Sequence, residues 1–256
     1  MLQDVKISKD FIVTNKDSLN GSQTKYYKDN VWYKVDRLGN EGFVESLVSI
    51  LLKHSNIYNY VEYKECIINN RPGCLSYSFL NCDEEFISLN RLHYSYYGID
   101  LHCKLHFFNN VKEKFDYLVY FCKEVIGLDI TTYLANVLAL DMLIVNIDRH
   151  LDNLGVIACN GYYREAPIFD NGQALLQNSS VYYPYENYEE RLDKSVSATI
   201  SGSFENQYIA CREYVTLKLN YTSLIKELKT LPKTLELEFL LKQLSLYKRI
   251  FNDSIK

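Results

Sequence analysis

The period of hydrophobic and polar positions changes several times along the chain, and the changes mark out its elements. Residues Val31-Trp32-Tyr33-Lys34-Val35-Asp36 are aromatic and β-branched with partial alternation, which predicts a strand. Within residues 40–53, Val44, Leu47, Val48 and Leu51 recur at i, i+3, i+4 and i+7, the spacing of one buried helix face. Tyr60-Val61-Glu62-Tyr63 and Glu65-Cys66-Ile67-Ile68 predict further strands, and Asn69-Asn70-Arg71-Pro72-Gly73 supplies the turn after them. Cys74 to Leu80 predicts one more strand. Residues 1–80 thus read as a small α+β lobe. After Asn81 the pattern becomes helical, over 111–127, 131–145 and, broken by Pro232, 222–250. The segment from Thr131 to Val145 is apolar almost all round, as expected of a central buried helix. Residues 81–256 read as a mainly helical lobe with one β-hairpin inserted. No internal repeat or low-complexity tract interrupts either part.

The hairpin has a predictable register. Leu154 to Cys159 and Tyr162 to Ile168 flank Asn160-Gly161, a two-residue turn whose central positions need φ > 0. With that turn Cys159 faces Tyr162, Leu154 faces Pro167, and Asn153 falls opposite Ile168. Asp170 lies two residues further, about 7 Å along the strand at ~3.3 Å per residue. Chain spacing therefore returns Asp170 to the neighbourhood of Asn153. The inference depends on register, since a slip of one residue turns the Asp170 side chain to the other face.

This hairpin follows the stretch Asn146-Ile147-Asp148-Arg149-His150-Leu151-Asp152-Asn153. Aspartate and asparagine alone are common turn-formers and caps. Here they follow a buried helix and precede a second aspartate. Phosphoryl transfer needs a carboxylate near the attacking hydroxyl and oxygen ligands for magnesium beside the nucleotide phosphates. Asp148, Asn153 and Asp170 can supply them in the order of a kinase catalytic loop: base, amide five residues later, metal-binding aspartate after a hairpin.

The motif Asn146-x-Asp148-x-His150-x-x-Asn153 followed by Ala166-Pro167-x-x-Asp170 resembles the HipA-like serine/threonine kinases. The Asp148-Arg149-His150 triplet is also similar to phosphatidylinositol kinases, which share the broad fold. Trp32-Tyr33-Lys34 and Leu38-Gly39-Asn40-Glu41-Gly42-Phe43-Val44-Glu45 resemble the lysine strand and following helix of short HipA-like proteins. Ser76 to Leu80 resembles the strand leading to their hinge. The resemblance covers about residues 20–210.

It implies an α+β, two-lobed protein-kinase-like fold, with residues 1–80 as the small lobe, 81–256 as the helical lobe and nucleotide between them. It further implies an ATP- and Mg²⁺-dependent kinase acting on a protein Ser/Thr hydroxyl. Asp148 would orient or deprotonate the acceptor. His150 would brace the loop, with a charge-stabilising role open. Asn153 and Asp170 would hold Mg²⁺, and Lys34 would reach the α/β-phosphates. Glu45 is the expected partner of Lys34, with Glu41 as runner-up; the two are four apart on one helix face, so sequence does not separate them. Gly21, Ser22 and Gln23, in the stretch Gly21-Ser22-Gln23-Thr24-Lys25, fall where the family has its phosphate-covering loop, and Ser22 is a candidate for phosphorylation there. The stretch has one glycine where phosphate loops often have several.

The chain also departs from the family. Too few residues precede Lys25 for the extra N-terminal subdomain of full-length HipA toxins, and Asn171-Gly172 stands where many kinases have Phe-Gly. The family implies a toxin–antitoxin setting, with a protein substrate and an antitoxin as partners. A lipid or small-molecule kinase of the same fold, or a nucleotide-binding pseudokinase, would share the motif.

Composition narrows the setting. Hydrophobic residues at 47% and charged residues at 23%, with a net charge of −4, are a globular balance with no basic field for nucleic acid. There are 4 prolines and 10 glycines, too few for long linkers. The first ten residues have no apolar signal-peptide core, and no uncharged apolar run is long enough to span a bilayer. The 7 cysteines are odd in number and contain no C-x-x-C pair, which points to free thiols in the cytoplasm. His102 and His106 flank Cys103, but the surrounding sequence does not complete a four-ligand zinc set.

Overall fold

The computed structural model describes residues 2–13 and 23–252. In chain order its elements are β1 (Gln3–Val5), β2 (Lys25–Lys28), β3 (Val31–Val35), α1 (Glu41–Lys53), β4 (Lys64–Ile68), β5 (Arg71–Tyr77), β6 (Glu85–Ser88), α2 (Leu89–Tyr97), α3 (Leu101–Leu105), α4 (Val111–Ile126), α5 (Thr131–Ile144), β7 (Gly155–Cys159), β8 (Tyr162–Glu165), α6 (Tyr188–Lys194), α7 (Phe204–Cys211), α8 (Tyr221–Leu228), α9 (Leu235–Leu246) and α10 (Lys248–Phe251). The fold is α+β, with a sheet built from the N-terminal strands and a mainly helical remainder. The chain divides into two compact units. One takes Met1–Phe79, Phe169–Ser195 and Lys218–Lys256; the other takes Leu80–Ile168 and Val196–Leu217.

In the first unit five strands lie in the order β1-β4-β5-β3-β2. Tyr26, Val35, Cys66, Ile68 and Leu75 close a core with Ile7. Side chains alternate along a strand, so Lys34 points away from its neighbour Val35. α1 packs on β4 and β5 and buries Val44, Leu47, Val48, Leu51 and Leu52. Its closest approach is at Gly42, where a Cβ would stand 2.4 Å from the carbonyl carbon of Gly73 in β5. Glycine is what lets the helix backbone meet the strand there.

Sequence and structure differ at several places in this unit. Residues Tyr60 to Tyr63 are not a strand: the Tyr63 N–H donates to the Ser49 hydroxyl at 2.9 Å, so α1 takes the donor that a ladder would have used. The turn between β4 and β5 is Asn69-Asn70 alone, at φ 48° and 66°, and Arg71, Pro72 and Gly73 belong to β5. A two-residue turn with both φ positive suits the strand twist, and Pro72, which has no N–H, contributes its carbonyl to Asp36 N at 3.0 Å. The C-terminal helical stretch is three helices, with the break from Lys229 to Thr234 around Pro232.

In the second unit α5 is buried on every side from Tyr133 to Ile144 and packs on α7. β7 and β8 pair with Cys159 opposite Tyr162 and Val156 opposite Glu165, the predicted register. The ladder's last bond runs from Ala166 N to the Gly155 carbonyl at 3.1 Å. The return strand β8 spans Tyr162–Glu165, shorter than the Tyr162 to Ile168 read from the sequence. β6, which the hydrophobic pattern does not announce, joins β7 on its other edge.

Candidate active site

Lys34 stands on β3, and three side chains of the first unit converge on its ammonium. It donates to Asp170 Oδ1 at 2.7 Å, Glu45 Oε1 at 3.3 Å and Tyr63 OH at 3.3 Å. The Lys34 and Glu45 side chains are 11% and 2% exposed, so this is an ion pair largely out of water, whereas Asp170 keeps 29%. Burial opposes the charge on Lys34, but Asp170, Tyr63 and Glu45 outweigh it and hold the pKa well above the lysine value. Burial also pushes the Glu45 carboxyl up, against the pull of Lys34. Glu45, not Glu41, faces the lysine. Glu41 is buried as well, but its oxygens accept from Arg37 N at 3.0 Å and Leu38 N at 2.6 Å. It therefore fastens the chain that leads into α1.

The segment after β8 is latched onto α1. Glu45 Oε2 accepts from Asn171 N at 2.9 Å, so one carboxylate holds both Lys34 and the residue after Asp170. Gly172 packs tightly beside it: a Cβ there would lie 3.2 Å from the Glu41 Cβ. Asp170 has φ 59°, in the left-handed region. Its side chain is aimed by a turn, and the strand alternation assumed from sequence does not reach it.

In the second unit the loop after α5 is built on a buried ion pair. Arg149 donates through Nε to Asp141, at 3.3 Å to Oδ1 and 3.2 Å to Oδ2, with the two side chains 1% and 0% exposed. Burial pushes the Asp141 carboxyl up to about 6 against the pull of Arg149. Val145 ends α5 at φ 53°, a costly region for a β-branched residue, on the order of 1–3 kcal/mol. Asn146 Oδ1 then accepts from Asp148 N at 3.1 Å, and Asp148 O accepts from His150 N at 2.9 Å. Thr199 Oγ1 donates to the Arg149 carbonyl at 2.6 Å. With Arg149 turned inward, Asp148 is exposed and His150 half-buried. His150 Nδ1 is 3.9 Å from Asp152 Oδ2.

Asn153 is buried and donates from Nδ2 to the Asp148 carbonyl at 3.2 Å. That bond orients its Oδ1 as the remaining acceptor, the end a hard cation would use. Among the described residues no three His, Cys, Asp or Glu side chains form a ready metal cage. Magnesium is usually held by one or two protein oxygens together with substrate phosphates. Asn153 in the second unit and Asp170 in the first each offer an oxygen donor of the kind magnesium takes.

Gly21 and Ser22 lie outside the described residues, while Gln23 is half-buried just before β2. Sequence reading missed Tyr63 and Thr199, and left Asp141 and Arg149 without roles. One signal was present: an aspartate inside an otherwise apolar helix needs a buried cation nearby.

No family model and no curated protein matches the chain by sequence. Solved structures do match it. The proinflammatory kinase CtkA of Helicobacter pylori aligns with 98% of this chain and 95% of its own, at a TM-score of 0.64 and 14% identity. HipA from the HipA, HipB and operator DNA complex of Shewanella oneidensis MR-1 aligns with 91% of this chain and 64% of its own, at 0.50 and 12%. At such identities the likeness is one of fold: the chain shares the fold of the kinase CtkA and of HipA.

Proposed function

We propose that the protein is an ATP- and Mg²⁺-dependent kinase that phosphorylates a protein serine or threonine hydroxyl. The observation that carries the reading is the convergence of Lys34, Glu45 and Asp170 in a chain with a HipA-like kinase fold. In this reading Lys34 places the phosphates, and Asp170 and Asn153 are the magnesium ligands. Magnesium supplies charge neutralisation along the phosphates. Asp148 accepts the proton of the acceptor hydroxyl as its oxygen bonds to the γ-phosphorus. The bond from that phosphorus to the bridging oxygen breaks, and ADP leaves. His150 braces the loop.

The setting is proposed by analogy. The Shewanella HipA is in a complex with HipB, so an antitoxin-like protein is the proposed partner. All the cysteines are free thiols, and no helix among the described residues is long and apolar enough to cross a membrane. Both features are compatible with work in the cytoplasm.

The test is incubation with labelled ATP and Mg²⁺, followed by mass spectrometry of this protein and of added lysate. Phosphoserine or phosphothreonine should appear with the wild type. It should vanish with Asp148→Ala, which should keep most ATP affinity because Asp148 acts on the acceptor. Labelling by Asp148→Ala at the wild-type rate would remove the catalytic assignment. Label on lipid or small metabolites alone would move the acceptor class.

A further inference from the structure

Lys25 is the residue opposite Lys34 in the β2–β3 pair. Val35 N donates to the Thr24 carbonyl at 3.0 Å, which makes Thr24 and Val35 a hydrogen-bonded pair. Pairs alternate along an antiparallel ladder, so Lys25 and Lys34 form a non-hydrogen-bonded pair. Side chains approach most closely in such pairs, with Cβ atoms about 4.5–5.5 Å apart, and like charges there are destabilising. The register is fixed by a two-residue turn, Asp29-Asn30, with φ 52° and 63°. A slip of one residue would carry Lys25 to the other face.

Lys25 is also buried, at 9% exposure. Burial and the neighbouring Lys34 charge hold the Lys25 pKa below the ordinary lysine value, and Asp170 and Glu45 pull the other way. Two ammonium groups and two carboxylates therefore share one corner of the unit. Glu45 is committed to Lys34 and the Asn171 N–H, which leaves Asp170, the more exposed acid, as the carboxylate able to exchange partners. An aromatic or β-branched residue is the usual occupant of such a sheet position, so a second buried lysine there calls for a chemical reason.

We propose that Lys25 is a second phosphate-contacting lysine, which together with Lys34 takes the polyphosphate tail of a nucleoside triphosphate. The inference rests on the kinase reading above. When Asp170 turns to a divalent cation, the two lysines lose part of their compensation, and phosphate oxygens restore it. The alternative role for Lys25 is charge balance for Glu45 and Asp170 alone. The two roles make opposite demands on the ligand-free protein.

The experiment is calorimetry of the full chain with Mg-ATP, Mg-ADP and AMP, on wild type, Lys25→Met and Lys25→Arg, together with melting of each ligand-free protein. A lost charge-assisted contact should weaken Mg-ATP binding to Lys25→Met by about tenfold or more. ADP should lose less, and AMP should change by less than about twofold. Ligand-free Lys25→Met should melt at or above wild type, because a like-charge pair is gone, and Lys25→Arg should keep ATP affinity. ATP binding by Lys25→Met equal to wild type would overturn the proposal. So would an equal loss for all three nucleotides, or a variant that fails to fold, since either outcome assigns Lys25 to structure. A wild type that binds none of the three would bring down the kinase reading itself, and this inference with it.

Discussion

The two glutamates of α1 show how residue type and residue role separate. Both are buried, but Glu45 balances a lysine and Glu41 caps a backbone. Glu45→Ala should therefore lower nucleotide affinity as well as stability, because it removes one of the carboxylates on Lys34 and the acceptor of the Asn171 N–H. Glu41→Ala should lower stability, by about 1–3 kcal/mol for its unsatisfied backbone donors, and leave affinity nearly unchanged. Calorimetry and urea unfolding on the pair would test this; equal loss of affinity in both would merge the roles. Asp170→Asn should weaken Mg-dependent ATP binding and preserve the fold, and equal affinity would remove Asp170 from the metal set. Asp141→Ala should cost about 3–5 kcal/mol in urea unfolding, since it removes the carboxylate from a buried ion pair with Arg149. A loss below about 1 kcal/mol would mean that water reaches Arg149.

At the scale of elements, α1 carries the site because of where it touches the sheet. Its apolar face fixes its rotation, and Gly42 fixes its depth against Gly73. Gly42→Ala would insert a Cβ where the β5 backbone stands, forcing the helix outward. The expected cost is about 1–3 kcal/mol, as for overpacking elsewhere. The same shift should draw Glu45 from Lys34, so ATP affinity should fall together with melting temperature. Unchanged melting would show that α1 can move without loss. The loop after α5 is held differently, by polar ties. Gln207 on α7 receives Ile200 N at 3.0 Å and donates to Ser197 Oγ at 2.7 Å, which steadies the stretch from which Thr199 reaches Arg149.

At the scale of the whole molecule, pH and ligand should both act on stability. Burial pushes the Asp36 carboxyl up to about 7. The folded protein thus keeps a proton that the unfolded chain releases near pH 4. Between about pH 4 and 7 the folded state binds more protons, so stability from this group falls as pH rises and levels off above 7. Asp36→Asn keeps an acceptor for the Gly42 N–H, which Asp36 Oδ1 holds at 2.8 Å, and should flatten that slope. Melting curves across this range would show it, and an unchanged slope would assign the dependence elsewhere. Mg-ATP at one hundred times its Kd should add about 2.7 kcal/mol of stability by mass action. No thermal shift with Mg-ATP would count against nucleotide binding.

The sequence by itself determined the elements whose burial is periodic and the one hairpin whose turn is chemically explicit. α1 and α4 follow from apolar spacing, α5 from an unbroken apolar run, and the β7–β8 register from Asn160-Gly161, because these signals act over a few residues. It also presented Asp148, Asn153 and Asp170 as candidates through their spacing along the chain, and Lys34 through the family resemblance. Only the tertiary structure decided which glutamate meets Lys34, that Asn171 is tied to Glu45, and that Arg149 turns inward to Asp141. It also made the compact units discontinuous, bringing Phe169–Ser195 and Lys218–Lys256 together with Met1–Phe79. The reason is physical: period reports which face of an element is buried, whereas the partner it meets is set by contacts between distant parts of the chain. Glu41 and Glu45 sit on one helix face and look alike to any local rule. Their separation depends on the depth at which α1 meets β5 and on a backbone N–H more than a hundred residues away.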